Sequence, residues 1–174
     1  MKKAISVFAV LLLIIAAGCE NQRIHETKEP PSLPEAFTSK LGVSYAGTEM
    51  TAVLTQKSSE EYELRMLTPE ILSPLALVYK DGVCTVTYDG LSFETDLNRF
   101  PQVSFGALLT ETISALRDGI DIQTTYSDGI QTFRGTGERG IFAITRNTET
   151  GAFIELTVEG ADLHVVFTDF KAIQ

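Results

Sequence analysis

The chain has 174 residues, of which 44% are hydrophobic and 21% are charged. This is the composition of a globular protein, and the length suits one domain plus a sorting segment. Acidic residues outnumber basic ones 23 to 14, giving a formal net charge of −9. Nucleic acid is therefore not an expected partner, because phosphate backbones are also negative. Two cysteines exclude a disulfide framework.

The N-terminal segment, residues 1–18, is predicted to be a lipoprotein signal peptide. Two lysines precede an uncharged, mostly apolar run at residues 4–17. This run is shorter than the roughly twenty residues that span a bilayer, and it is typical of a signal peptide. It ends in Ala-Ala-Gly before Cys19, which resembles a bacterial lipobox. The resemblance implies cleavage after Gly18 and an anchor of diacylglycerol and palmitate on Cys19. The alternatives are an ordinary secretory cleavage site and an uncleaved anchor.

Residues 19–36 are predicted to be the lipidated cysteine and a flexible tether, because they are polar, charged and rich in proline. Anionic head groups should repel so acidic a chain, so the lipid anchor is its expected link to the membrane. Glu20, rather than aspartate, follows Cys19. In a two-membrane cell, the lipoprotein resemblance then implies the outer membrane; in a one-membrane cell, it implies the outer face of the cytoplasmic membrane.

Residues 37–174 are predicted to form a mainly β domain, because apolar residues alternate and turn signals recur. One helix is predicted at residues 104–117, where Phe105, Leu108, Leu109, Thr112 and Leu116 form one stripe. About eleven antiparallel strands should curl into a sheet or unclosed half-barrel, with the helix on its concave face. The strands are predicted at 41–45, 50–54, 62–66, 75–80, 83–88, 91–95, 120–126, 130–134, 141–146, 152–159 and 163–170.

Few residues suggest chemistry. His25 lies in the tether, and His164 lies on the last strand, on the face opposite Leu163, so neither is predicted to be catalytic. Cys84 is predicted to be a small buried apolar residue. The glycine-rich residues 135–140, with Arg134 and Arg139, are predicted to be a loose loop rather than an anion site. No metal-ligand spacing, nucleotide fingerprint or nucleophile elbow is present, so no enzyme, metal or cofactor is predicted.

The order of lipobox, strands and intervening helix resembles the LolA/LolB-type lipoprotein carriers. Residues 69–75 (PEILSPL), running into Tyr79–Phe93 and the Leu108 helix, also resemble small lipoproteins of Firmicutes. The LolA/LolB resemblance implies a half-barrel with a hydrophobic groove under a helical lid. Such carriers usually have a substantial helix before the first strand. This chain departs from that pattern, because the prolines at 30, 31 and 34 leave room only for a short helix at residues 35–40.

The function that follows is binding of a hydrophobic ligand, a lipid or an acyl chain, by an anchored lipoprotein of the cell envelope. The alternative is a non-catalytic protein-interaction or structural domain with a filled core, suggested by the two-sided apolar strands at 75–79 and 84–88. Plain core packing is the competing interpretation for each candidate ligand residue. The candidates are Met50, Leu64, Met66, Phe93, Phe105, Leu109, Leu156 and Phe167.

Overall fold

The computed structural model describes residues 25–26, 33–80, 83–95, 104–137 and 139–173. They form twelve strands, one α-helix and two 3₁₀ segments, Glu70–Leu72 and Glu159–Ala161. The strands before the helix are β1 His25–Glu26, β2 Phe37–Tyr45, β3 Thr48–Gln56, β4 Glu61–Thr68, β5 Leu75–Lys80, β6 Val83–Tyr88 and β7 Leu91–Thr95. The helix is α1 Ser104–Asp118, followed by β8 Gln123–Ser127, β9 Ile130–Gly137, β10 Gly140–Asn147, β11 Phe153–Val158 and β12 Leu163–Ala172.

All twelve strands belong to one sheet in the order β1-β8-β9-β10-β11-β12-β2-β3-β4-β5-β6-β7. Every neighbouring pair is antiparallel. Strand β12 pairs with β2 in the middle of the sheet. This pair joins strands β2–β7, which precede the helix in the sequence, to strands β8–β12, which follow it. Strands β1 and β7 lie at opposite edges. The predicted unclosed half-barrel is confirmed, with eleven strands from Phe37 onward.

Two local predictions are wrong. Residues 35–40 do not form a short helix, because β2 begins at Phe37 and its buried residues alternate with half-buried or exposed ones up to Val43. Phe37 is fully buried, and the Ser39 hydroxyl donates to the Thr168 carbonyl at 2.7 Å. Residues 135–140 are not a loose loop, since Gly137 at the end of β9 pairs with Gly140 at the start of β10. The glycines here permit close packing rather than flexibility.

The helix packs on the concave face of the sheet, as predicted. Its apolar stripe joins the strands in one continuous core, in which Phe105, Leu109 and Leu116 have no exposed surface. At the N-terminal turn, a Cβ on Gly106 would meet the Tyr79 hydroxyl at 2.5 Å and a Leu64 methyl at 3.2 Å. The absence of a side chain at Gly106 therefore lets the helix approach β4 and β5 directly.

The turn between β9 and β10 is braced by the 3₁₀ segment Glu159–Ala161. A Cβ on Gly160 would overlap the Arg139 carbonyl oxygen and lie 3.4 Å from the Cα of Gly140. Only a glycine at position 160 allows the two backbones to lie this close. The contact fixes the end of the β9–β10 hairpin, which forms one wall of the pocket described next.

Candidate ligand-binding pocket

A pocket of about 390 Å³ lies between α1 and the β9–β10 hairpin. The helix supplies one wall, lined by Leu108, Glu111, Thr112, Ser114, Ala115 and Asp118. The sheet supplies the other wall, lined by Thr136, Gly137, Arg139, Gly140, Phe142 and Val158. A volume of roughly 300–1,000 Å³ is typical of small-molecule sites, so this pocket is large enough for part of an organic ligand.

The floor of the pocket is apolar. Leu108, Phe142 and Val158 are all buried members of the hydrophobic core. The Thr112 hydroxyl donates to the Leu108 carbonyl at 2.6 Å, so it adds no unpaired polar group. Phe142 packs against its register partner Gly135, where a Cβ would come within 2.5 Å of the ring. The interior of the pocket is therefore suited to hydrocarbon.

The mouth of the pocket is polar and charged. Glu111, Ser114 and Asp118 are exposed, and their spacing places them along one side of the helix. Arg139 and Thr136 are exposed on the hairpin. Among the described lining residues, the pocket thus combines an apolar floor with two carboxylates on the helix side of the mouth and one guanidinium on the sheet side.

The candidate ligand residues lie elsewhere. None of the eight lines the pocket. Seven are buried in the core and at most 6% exposed, namely Met50, Leu64, Met66, Phe105, Leu109, Leu156 and Phe167. Phe93, the eighth, is 46% exposed on edge strand β7. It belongs to the cross-strand row Leu77–Val86–Phe93, and the first two members of that row are buried in the core. Phe93 is therefore on the concave side of the sheet.

Strand β7 carries exposed apolar side chains on this concave side. Leu91 pairs with Tyr88 and is 73% exposed, whereas Tyr88 is 39% exposed. The Tyr88 hydroxyl donates to the Ile71 carbonyl at 3.0 Å, which links this edge to the 3₁₀ segment after β4. We call Tyr88, Leu91 and Phe93 the β7 patch.

The sequence-based search for chemistry missed a partner of His164. Its Nε2 lies 2.7 Å from Oε1 of Glu155 on the adjacent strand, and both side chains are about half exposed. The pair lies on the convex face, because His164 alternates with the buried residues Leu163 and Val165. It is therefore separate from the pocket.

Cys84 is buried as predicted, and burial raises the pKa of its thiol to about 11. Burial likewise raises the pKa of the Tyr79 hydroxyl above its ordinary value. Within the described ranges, no group of three or more histidine, cysteine, aspartate or glutamate side chains could hold a metal ion. Among those same residues, no helix is both long and apolar enough to cross a membrane. Cys19 and its lipobox lie outside the described residues.

The fold and the site together define an unclosed antiparallel half-barrel with a helix on its concave face and a pocket beside that helix. No family model matches the sequence, and no curated protein matches it. Among solved structures, the chain is similar to the LolA superfamily protein NE2245 from Nitrosomonas europaea. The similarity covers 86% of this chain and 91% of that chain, with 9% sequence identity and a TM-score of 0.44. At that TM-score it assigns no function to this chain.

Proposed function

We propose that the chain is a membrane-anchored lipoprotein of the cell envelope that binds a hydrophobic ligand, a lipid or an acyl chain, between sheet and helix. The proposed role is non-catalytic and LolA-like. The observation that supports it best is the pocket of about 390 Å³ between α1 and the β9–β10 hairpin. Its floor of Leu108, Phe142 and Val158 would remove hydrocarbon from water, which is worth about 25 cal/mol per Å².

Ligand binding can be tested on residues 20–174 purified without detergent. This chain retains every described residue and the whole hydrophobic core. Native mass spectrometry is expected to show a bound mass that organic solvent extracts as lipid. A clean ligand-free mass, unchanged after incubation with lipid vesicles, would contradict the proposal.

A pocket-filling variant sharpens the test. Ala115 lines the pocket, so Ala115→Phe is expected to remove the bound lipid while the protein remains folded. Ala143→Phe is a matched control, because Ala143 lies on β10 between the buried residues Phe142 and Ile144 and so on the convex face. The control should retain the lipid. Equal lipid content in the two variants would place any ligand outside this pocket.

The proposed anchor has its own test in the full-length chain. Cells grown with an alkyne analogue of palmitate should label the wild-type protein and not the Cys19→Ser variant. The variant should also leave the membrane fraction. Label that persists in Cys19→Ser would refute lipidation at this cysteine without affecting the proposal for the pocket.

A second candidate function, a non-catalytic protein-interaction domain of the cell envelope, is favoured by the β7 patch. Exposed apolar residues on an edge strand are unusual, because such edges promote pairing with other chains. A photo-crosslinking residue at position 93 should then capture a defined envelope protein, and Leu91→Lys should abolish the product. No crosslink beyond background would remove the support for this function.

A further inference from the structure

We infer that the pocket accepts one extended hydrocarbon chain of about twelve carbons, and so selects single-chain amphiphiles, such as fatty acids and lysolipids, over diacyl lipids. This inference rests on the proposed function, because it requires a hydrocarbon ligand in the pocket. It follows from the length of the pocket, its cross-section and the contacts that fix its walls.

The pocket runs along the helix from Leu108 to Asp118. Ten residues separate these two positions, so this part of the helix is about 15 Å long at 1.5 Å per residue. Burial decreases along the same line, because Leu108 and Thr112 are buried, Ala115 is half-buried and Asp118 is exposed. The pocket is therefore a trough with its inner end at Leu108 and its outlet at Asp118.

The cross-section of this trough matches one hydrocarbon chain. A volume of about 390 Å³ over about 15 Å of helix gives a mean cross-section of about 26 Å². An extended chain advances about 1.3 Å per carbon, because its staggered bonds are about 1.5 Å long. At the packing density of a protein interior a methylene group fills roughly 27 Å³, so one chain needs about 21 Å² and two chains about 42 Å². The trough therefore has room for one chain, and its length accommodates about twelve carbons.

Contacts at both ends of the helix fix its distance from the sheet. At the first turn, Gly106 lies directly against the Tyr79 hydroxyl, where a Cβ would come within 2.5 Å of the oxygen. At the last turn, Arg117 Nη2 donates to the Pro34 carbonyl at 3.1 Å. The segment that contains Pro34 is itself bound to the sheet, because Gln56 Nε2 donates to the Glu35 carbonyl at 2.7 Å. Gln56 is fully buried, so this contact is shielded from water.

The opposite wall is fixed by backbone contacts. Gly137 and Gly140 are paired in register at the end of the β9–β10 hairpin. Gly160 of the 3₁₀ segment packs against the backbone of Arg139 in the same turn. Widening the trough for a second chain would break the contacts on one of the two walls. Protein interiors are closely packed and resist such changes, so the capacity of one chain is built into the fold.

A chain-length series tests the length of the trough. Lysophosphatidylcholines with saturated chains of eight, ten, twelve, fourteen and sixteen carbons are titrated into residues 20–174 by isothermal calorimetry, each below its critical micelle concentration. Affinity should rise about fourfold per methylene up to about twelve carbons, the usual gain for a methylene removed from water. Beyond about twelve carbons it should rise less than about twofold per methylene, because the added carbons remain in water.

A two-chain lipid of equal carbon content tests the cross-section. Dihexanoylphosphatidylcholine has the same head group as the twelve-carbon lysophosphatidylcholine and the same number of acyl carbons, divided between two chains. Only one of its short chains fits the trough. It should therefore bind at least about tenfold more weakly than the single-chain lipid, since half of its hydrocarbon stays in water.

Two neighbouring leucines provide a matched pair of variants. Leu108→Ala removes three carbons from the inner end of the trough, so the plateau should move to chains about two or three carbons longer. Leu109→Ala removes the same atoms from a buried side chain that does not line the pocket, so its plateau should stay at about twelve carbons. Thermal unfolding of each variant checks that the fold is intact. A plateau that moves in both variants, or in neither, would overturn the trough geometry.

The outcomes with the wild-type chain separate this inference from the proposed function. Affinity that keeps rising fourfold per methylene through sixteen carbons would overturn the length of the trough. Equal or tighter binding of the two-chain lipid would overturn its capacity of one chain. Either result would leave the apolar pocket supported. Failure of every lipid to bind would overturn the proposed function and, with it, the inference.

Discussion

Replacing Gly160 with alanine is expected to destabilise the protein by disrupting the packing of the β9–β10 hairpin, which forms one wall of the pocket. The new Cβ would overlap the backbone carbonyl oxygen of Arg139. Backbone atoms cannot move aside by rotating a side chain, so the hairpin and the 3₁₀ segment would have to separate. Overpacking of this kind costs about 1–3 kcal/mol. At roughly 2–4 °C per kcal/mol for a chain of this size, the melting temperature should fall by several degrees.

The assay is urea unfolding of Gly160→Ala beside Gly42→Ala. A Cβ on Gly42 meets no atom within 4 Å, so this control lacks the clash. The control should be neutral or slightly stabilised, by about 0.4–1 kcal/mol, because alanine restricts the unfolded chain. Equal free energies of unfolding for the two variants would refute the close backbone packing inferred at the hairpin. Weaker lipid binding by Gly160→Ala alone would connect that packing to the pocket.

Three further predictions concern stability and reactivity. Leu109→Ala should lower the free energy of unfolding by about 2–5 kcal/mol in urea titrations, because Leu109 is fully buried; Leu91→Ala, at a 73% exposed position, should change it by less than about 0.5 kcal/mol. In a Cys19→Ala background, Cys84 should react with a thiol reagent at pH 8 only after unfolding. Stability should also fall between pH 9 and 11, because the unfolded thiol (pKa 9.0) loses its proton before the folded one (about 11). Cys84→Ala should reduce this fall, and the buried Tyr62 and Tyr79 hydroxyls, whose pKa values are also raised, should account for what is left above pH 10. His164→Ala should change stability by less than about 1 kcal/mol in urea, since its hydrogen bond with Glu155 is exposed, and a larger loss would indicate a role beyond that contact.

The sequence predicts the strands well where one face is buried and the other is exposed. Strand β4 is the clearest case, because Tyr62, Leu64 and Met66 are buried while the residues between them are not. The stripe of α1 is predicted for the same reason, since the helix buries one side against the sheet. Periodicity reports which side of an element is buried, so it succeeds wherever burial is one-sided.

Close backbone contact is harder to predict than periodicity. The glycines at 135, 137 and 140 suggest a flexible loop when only local sequence is considered. In the fold, Gly135 makes room for Phe142 and Gly140 lies beside Gly160. These are contacts between distant or paired segments, so no local pattern contains them. For the same reason, Glu155 could not be recognised as the partner of His164 before the register of β11 and β12 was known.

The pocket could not be predicted, because the residues of its floor look like core residues. Leu108, Phe142 and Val158 have the same hydrophobicity and periodicity as Leu109 or Leu156, which are buried without lining this pocket. What distinguishes them is the space between the helix and the hairpin. Apolar character alone distinguishes the eight candidate residues in the sequence, and buried core residues share it, so seven of the eight lie in the core.

Among the described residues, the pocket and the exposed β7 patch follow from a mismatch in length between the helix and the sheet. A helix of 15 residues is about 22 Å long, whereas twelve strands span about 53 Å along the sheet. The helix begins beside β4 and β5, with Gly106 against Tyr79, so β7 lies beyond its start and Leu91 stays exposed. At the other end, Asp118 lies at the pocket next to β9 and β10. An apolar concave face that one short helix covers only in part is the physical basis of the ligand binding proposed here.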